Sequence, residues 1–306
     1  MADLTVSLGR LQLKNPVMPA SGCFGYGEEY ASFYDLSVLG AIVVKGTTVN
    51  PWPGNAPQRI VETPAGMLNA IGLQNPGVPA AKIKIRRLAR YNSPVIVNVS
   101  GHSVEEYKEV ISVLEEESTV AAYEINVSCP NVKAGGMAFG TKPEIVFKLV
   151  TALRPLTEKT LIVKLSPNVT DITEIATAAE SAGADALSLI NTLVGMAIDI
   201  EKRRPVLANI TGGLSGPAVK PVALRMVWQV TDVVNIPVIG MGGISSAEDA
   251  IEFMLAGATA VAIGAANFVN PTVCPEVVAG IEAYLHKYNF SSVREIVGLA
   301  KRADNT

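Results

Sequence analysis

Cysteine, histidine and tryptophan are scarce in this 306-residue chain, with three, two and two residues respectively. Cys23, Cys129 and Cys274 lie far apart with no CxxC pair. That spacing suits a reducing cytoplasm and offers no clustered ligands for zinc or an iron–sulfur centre. His102 and His286 are too few and too separated for a metal site, so no metal is expected. No run of Lys and Arg occurs and the net charge is −3, which argues against nucleic acid as a partner. No apolar stretch approaches the ~18 residues of a spanning helix. The opening MADLTVSLGRLQLKNP lacks both the basic start and the apolar core of a secretory leader. Neither membrane nor export is expected. Charged residues make up only 17% against 49% hydrophobic, the balance of a chain that buries a large core rather than staying disordered.

Short β-rich runs alternate with helical patterns along nearly the whole chain. Strands are predicted at 16–20, 41–45, 95–99, 122–127, 161–165, 186–190, 237–240 and 259–263. The clearest helices between them are 103–117, 143–154, 171–182, 217–233 and 246–256. Ser103 precedes Glu105 and Glu106, and Ser246 precedes Glu248 and Asp249, so both starts pair a capping side chain with negative charge at the positive helix end. Strands alternating with helices imply a parallel sheet, and this number of units fits an α/β fold of the (β/α)8 TIM-barrel type. Thr5–Leu8 and Leu11–Leu13 flank Gly9-Arg10 as an N-terminal β-hairpin that would close the barrel bottom. No compositional break marks a linker, so a single domain over 1–306 is expected, with inserted loops over the C-terminal face.

The strand exits carry Ser21-Gly22, Lys45-Gly46, Asn98 with Ser100, Asn126 with Ser128, Lys164 with Ser166, Asn191-Thr192, Gly242-Gly243 and Gly264. All are polar or glycine, and none is Asp or Glu. Such a rim fits an electron-rich or anionic ligand with amides bonding its polar edges. Glycines cluster around the last two strands, at Gly212-Gly213-Leu214-Ser215-Gly216, Gly240-Met241-Gly242-Gly243 and Gly264-Ala265. Barrels bind phosphate there through backbone N–H groups, although tight turns alone would also use glycine. No GxGxxG follows a predicted strand, so the phosphate is not that of a Rossmann-bound dinucleotide. Asn126-Val127-Ser128-Cys129-Pro130-Asn131 sets two carboxamides beside one thiol where a strand, its apolar run broken by Glu124, meets a glycine-rich loop. A packed structural Cys and a reactive one are both compatible with that placement.

Together these residues resemble the dihydroorotate dehydrogenases, flavin enzymes of pyrimidine synthesis, from about Leu11 to Asn270. The resemblance is carried by Pro19 to Gly25, Met67 to Gly77, Asn126 to Asn131, Lys164 to Asn168, Ile190-Asn191-Thr192 and Gly212 to Gly216. Within the family it looks most like class 1B, whose members pass electrons to NAD+ through a partner subunit. It lacks the serine base and the N-terminal membrane extension of class 2.

The resemblance implies oxidation of dihydroorotate to orotate with Cys129 as base. Lys45, Asn69 and the backbone of Ile71, Gly72 and Leu73 would hold the substrate carboxylate, and Asn126, Asn131, Asn191 and Thr192 the ring edges. One FMN per chain would contact Ser21, Lys45, Gly46, Asn98, Asn126, Lys164 and Ile190, with its phosphate at Gly216, Gly242, Gly243, Gly264 and Ala265. Gly46 and Ala265 depart from the alanine and threonine common in the family. Loop 130–142, with Gly135, Gly136 and Gly140, would be a lid. FAD and a 2Fe–2S centre are implied on the partner, in a complex of two of each chain built on a homodimer. Cys23 and Cys274 match no catalytic position and read as packed thiols. Rival readings are a related flavin barrel acting on an uncharged pyrimidine, a lyase or aldolase using Lys164 as Schiff-base nucleophile, and a non-catalytic scaffold.

Overall fold

Branched apolar runs without helical periodicity satisfy their backbone by pairing, and a strand buried on both faces belongs in a parallel sheet. The computed structural model, which describes residues 2–127 and 139–302, shows that arrangement. Strands β1 (Val6–Leu8) and β2 (Leu11–Leu13) form the expected hairpin, turning through Gly9 in the left-handed region at φ 57°. β3 (Val17–Pro19) and β4 (Ile42–Thr47) begin the barrel, and β5 (Ile60–Thr63) and β6 (Gly66–Asn69) leave it. β7 (Val95–Val99), β8 (Val120–Asn126), β9 (Thr160–Lys164) and β10 (Ala186–Leu189) resume it. β11 (Leu193–Met196), β12 (Ile198–Asp199), β13 (Arg204–Pro205) and β14 (Thr211–Ser215) stand outside. β15 (Val238–Met241) and β16 (Ala260–Ile263) complete the ring.

Its order is β3-β16-β15-β10-β9-β8-β7-β4, with every paired neighbour parallel. The Gly40 N–H donates to the Val17 carbonyl at 2.9 Å, which brings the start of β4 back against β3. The fold is therefore the expected (β/α)8 barrel. Below it, Thr160 Oγ1 donates to the Leu8 carbonyl at 3.0 Å, and Leu8 and Leu13 are buried, so the hairpin plugs the N-terminal end.

Helices α1 (Gly77–Arg87), α2 (Val104–Leu114), α3 (Pro143–Leu153), α4 (Ile172–Ser181), α5 (Lys220–Val233) and α6 (Ala247–Leu255) pack outside the strands. The short α7 (Ala266–Val269) and the long α8 (Val273–Lys287) follow. Both expected caps form: Ser103 Oγ accepts from the Glu106 N–H at 3.2 Å, and Ser246 makes a reciprocal capping box with Asp249. α1 and α8 escape the sequence pattern for physical reasons. α1 opens on Pro76-Gly77, which reads as a loop. α8 contains Gly280, unfavourable in a helix, yet a Cβ there would stand 2.2 Å from the Ala247 Cβ on α6.

One expectation changes. The material over the C-terminal face is not only loops, because β11-β14-β6-β5 form a four-stranded antiparallel sheet. This roof has its own small apolar cluster of Leu68, Ala70 and Leu207. Gly212 to Ser215, read as part of a phosphate loop, is mostly its strand β14. A Cβ on Gly213 would meet Thr192 Oγ1 at 1.9 Å, so these glycines serve close packing.

Candidate active site

Parallel strands send their C-terminal ends to one rim, and here the rim and the roof enclose a cavity of about 900 Å3. That lies at the upper end of the ~300–1,000 Å3 typical of ligand sites. Of the residues expected at a substrate carboxylate and ring, Lys45, Asn69, Ile71, Leu73, Asn191 and Thr192 line it. Of those expected at FMN, Ser21, Gly46, Lys164, Ile190, Gly216, Gly242, Gly243, Gly264 and Ala265 line it too. Gly72 does not, because Asn55 packs against it: a Cβ there would meet Asn55 Cγ at 2.6 Å. Cys129 and Asn131, with Ser128 and most of the 130–142 loop, lie outside the described residues. The strand that leads to them is firmly held, since Tyr107 Oη donates to the Asn126 carbonyl at 2.7 Å.

Asn98 and Asn126 are buried beneath the lining rather than on it. Asn126 Nδ2 donates to Ser100 Oγ at 3.3 Å, Ser100 Oγ donates to Asn98 Oδ1 at 3.4 Å, and Asn98 Nδ2 donates to Glu124 Oε2 at 2.6 Å. Glu124 also accepts from Ser188 Oγ at 2.8 Å and lies 3.9 Å from Lys164 Nζ, which donates to Ser21 Oγ at 3.1 Å. The acid-free exits therefore stand over a floor that contains a carboxylate. A Cβ on Gly46 would lie 3.0 Å from Asn98 Oδ1, so the alanine common in the family would press on this floor.

Lys45 and Lys164 are the lining cations among the described residues, facing a single lining carboxylate, Glu62. Burial pushes the Lys45 ammonium below the ordinary lysine value; Cys23 and Glu29 pull it back up and Arg59 lowers it further. Cys23 is not the packed thiol the sequence implied, for it is half-buried in the cavity wall. Burial pushes its thiol up, against the pull of Lys164 and Lys45. Cys274 is buried as expected, its thiol pushed up to about 12 chiefly by burial.

The glycine end forms a cradle from two distant segments. Gly216, Gly242 and Gly243 have φ of 98°, 125° and 79°, in the region that favours glycine. A Cβ on Gly243 would stand 2.8 Å from the Lys220 nitrogen and 2.9 Å from the Gly216 oxygen, and one on Gly216 would meet Gly66 Cα at 2.6 Å. Side chains are thus kept out and backbone faces the cavity, which fits a phosphate. Asp249 ties the segments together. It accepts from the Ser245 N–H at 2.8 Å and pairs with Lys220 Nζ at 2.6 Å. Burial pushes its carboxyl up, but these partners outweigh that and hold it low.

The family model described as dihydroorotate dehydrogenase matches residues 3–285. The chain belongs to the dihydroorotate dehydrogenase family. It is accordingly an oxidoreductase. It is 57% identical over 297 residues to the "Dihydroorotate dehydrogenase B (NAD(+)), catalytic subunit" of Geotalea uraniireducens, covering 97% of each chain. It is 57% identical over 299 residues to the protein of that name from Bacteroides thetaiotaomicron, covering 97% of this chain and 99% of the relative. A solved DHODH from Eimeria tenella, in complex with ferulenol, shares the fold with a TM-score of 0.83 at 23% identity, over 98% of this chain and 89% of that one.

Sequence reading missed two groups of polar residues. Glu124 and Ser188 sit inside strands, where Glu124 registered only as a break in an apolar run. Counting by twos from Asn126 would have placed it on the same face. Asn75 is the second: it accepts from the Thr48 and Gly77 N–H groups at 3.2 and 2.9 Å and donates to the Leu73 carbonyl at 2.7 Å. It clamps the Ile71–Leu73 segment to the end of β4.

Proposed function

We propose that the chain is the FMN-binding catalytic subunit of an NAD-linked dihydroorotate dehydrogenase, oxidising dihydroorotate to orotate in de novo pyrimidine (UMP) synthesis. The observation that carries this reading is one cavity holding both a Lys45–Asn69 pocket and a side-chain-free glycine cradle. A pyrimidine carboxylate needs the first and a cofactor phosphate the second. Bound FMN supplies the hydride acceptor, and Lys164 supplies the positive charge that stabilises the reduced ring.

The chain's own residues do the rest. Dihydroorotate gives up a proton from carbon 5 and a hydride from carbon 6. Cys129, delivered just past the end of β8, takes the proton as thiolate. Lys45, Asn69 and the backbone of Ile71, Gly72 and Leu73 hold the carboxylate, while Asn126, Asn131, Asn191 and Thr192 bond the ring edges. An uncharged pyrimidine would leave Lys45 without an anion in a half-buried pocket, which disfavours that rival. Lys164 lies between Ser21 and the Glu124 carboxylate, which supports an electrostatic role over that of a Schiff-base nucleophile.

Anaerobic addition of dihydroorotate to the purified yellow protein tests the reading. The visible flavin band should bleach with formation of orotate, and a band that persists overturns it.

The relatives' designation as catalytic subunits supports a partner chain; we infer that the partner carries FAD and a 2Fe–2S centre and that the complex is cytoplasmic. The roof supports a homodimer, with two copies in a heterotetramer. Val194, Met196 and Ile198 alternate outward along β11 and β12, and Ile200, in the turn that follows, is 80% exposed. An apolar stripe of this kind marks an interaction surface. Ile198→Glu combined with Ile200→Glu should convert the dimer to a monomer in light scattering, and an unchanged mass removes this face from the interface.

A further inference from the structure

We propose that Glu124 is a positioning residue of this site, an acceptor-only anchor that fixes the direction of the floor's hydrogen bonds and lowers the reduction potential of bound FMN through its pairing with Lys164. The inference rests on the FMN reading above.

Glu124 and Lys164 have side chains 4% and 6% exposed, enclosed by the apolar strands of the barrel. Burying a carboxylate there is costly unless it is fully paired, and a glutamine of the same volume would fill the space without that cost. The charge itself therefore calls for a role. A carboxylate can only accept, so the Asn98 amide must turn its Nδ2 down to Glu124 and its Oδ1 up towards Gly46, which lines the cavity. Ser100 Oγ then donates to that Oδ1, and Asn126 Nδ2 donates to Ser100. One group thus sets the polarity of three side chains below the cofactor. At 3.9 Å from Lys164 Nζ it also offsets part of the positive field that favours reduced flavin. A cofactor that must pass its electrons onward gains from that offset, because too strong a cation would trap them.

Spectroelectrochemical titration of the FMN-loaded protein tests this. Glu124→Gln should favour binding of reduced over oxidised FMN by about tenfold more than wild type, a rise of about 30 mV for a two-electron couple. Glu124→Asp should recover most of that change. Ser188→Ala removes a donor but keeps the charge, so it should shift the potential the opposite way, downward, and it carries the test if Glu124→Gln does not fold. A merely structural role would move both variants in one direction or neither. An unchanged potential in Glu124→Gln, or an upward shift in Ser188→Ala, overturns the proposal while leaving the dehydrogenase reading intact. Wild-type protein that holds no FMN overturns both.

Discussion

Cys129→Ser is expected to slow flavin reduction by dihydroorotate by about 10²–10⁴-fold near neutral pH, the usual contribution of a positioned base, with FMN still bound. The base must lose its own proton first, and a thiol does so near pH ~8.5 where a serine hydroxyl does not. In wild type, the stopped-flow rate should rise with pH through one apparent pKa, and that rise should vanish or move strongly in the variant. Cys23 is the natural control. It lines the cavity wall, but burial pushes its thiol up, so a profile carried by Cys23 would lie at higher pH. An unaltered rate and profile in Cys129→Ser would remove the thiol from the chemistry.

Lys45→Met should weaken orotate by roughly 30-fold or more, since removing one partner of a desolvated charge pair costs about 2–5 kcal/mol. FMN, although it would lose its Lys45 contact, should still be held through the glycine cradle, which lies on other segments. The wild-type pH dependence follows from the sign of the shift. Burial first, and Arg59 last, lower the Lys45 pKa, so its ammonium is lost at a lower pH than that of an ordinary lysine. Orotate affinity should be full below that depressed pKa and fall as pH rises through it. Titrations of flavin absorbance with orotate, from neutral to alkaline pH, should show this fall in wild type and a flat line in Lys45→Met. A variant that binds orotate as tightly as wild type would place the carboxylate elsewhere.

The barrel was readable because each of its strands is a short apolar run ending in a polar or glycine exit, a signal that is entirely local. The roof was not. β6 pairs with β14 through contacts such as Asn69 with Gly213, far apart in the chain, and no local periodicity records such a pairing. Its glycines therefore read as part of a phosphate loop, whereas Gly213 makes room for Thr192. The lining of the cavity was largely legible because Lys45, Asn69, Lys164 and the glycines of the cradle stand at strand ends or special turns. Glu124 was not, because an acid within a strand reads as an imperfection until its donors, from two other strands, are brought around it.

The meeting of Gly216, Gly66 and Gly243 within the cradle has a consequence for the life of the chain. Gly66 comes from the first third of the sequence and Gly216 and Gly243 from the last, and they touch only when barrel and roof have both been assembled. A partly folded or truncated chain has no cradle to offer. A ligand that recognises only the finished state stabilises it by mass action, by about 2.7 kcal/mol at a hundredfold excess over its dissociation constant. The yellow colour that bound FMN would give the protein would then act as an inspection mark, carried by molecules that have completed assembly and withheld from those that have not.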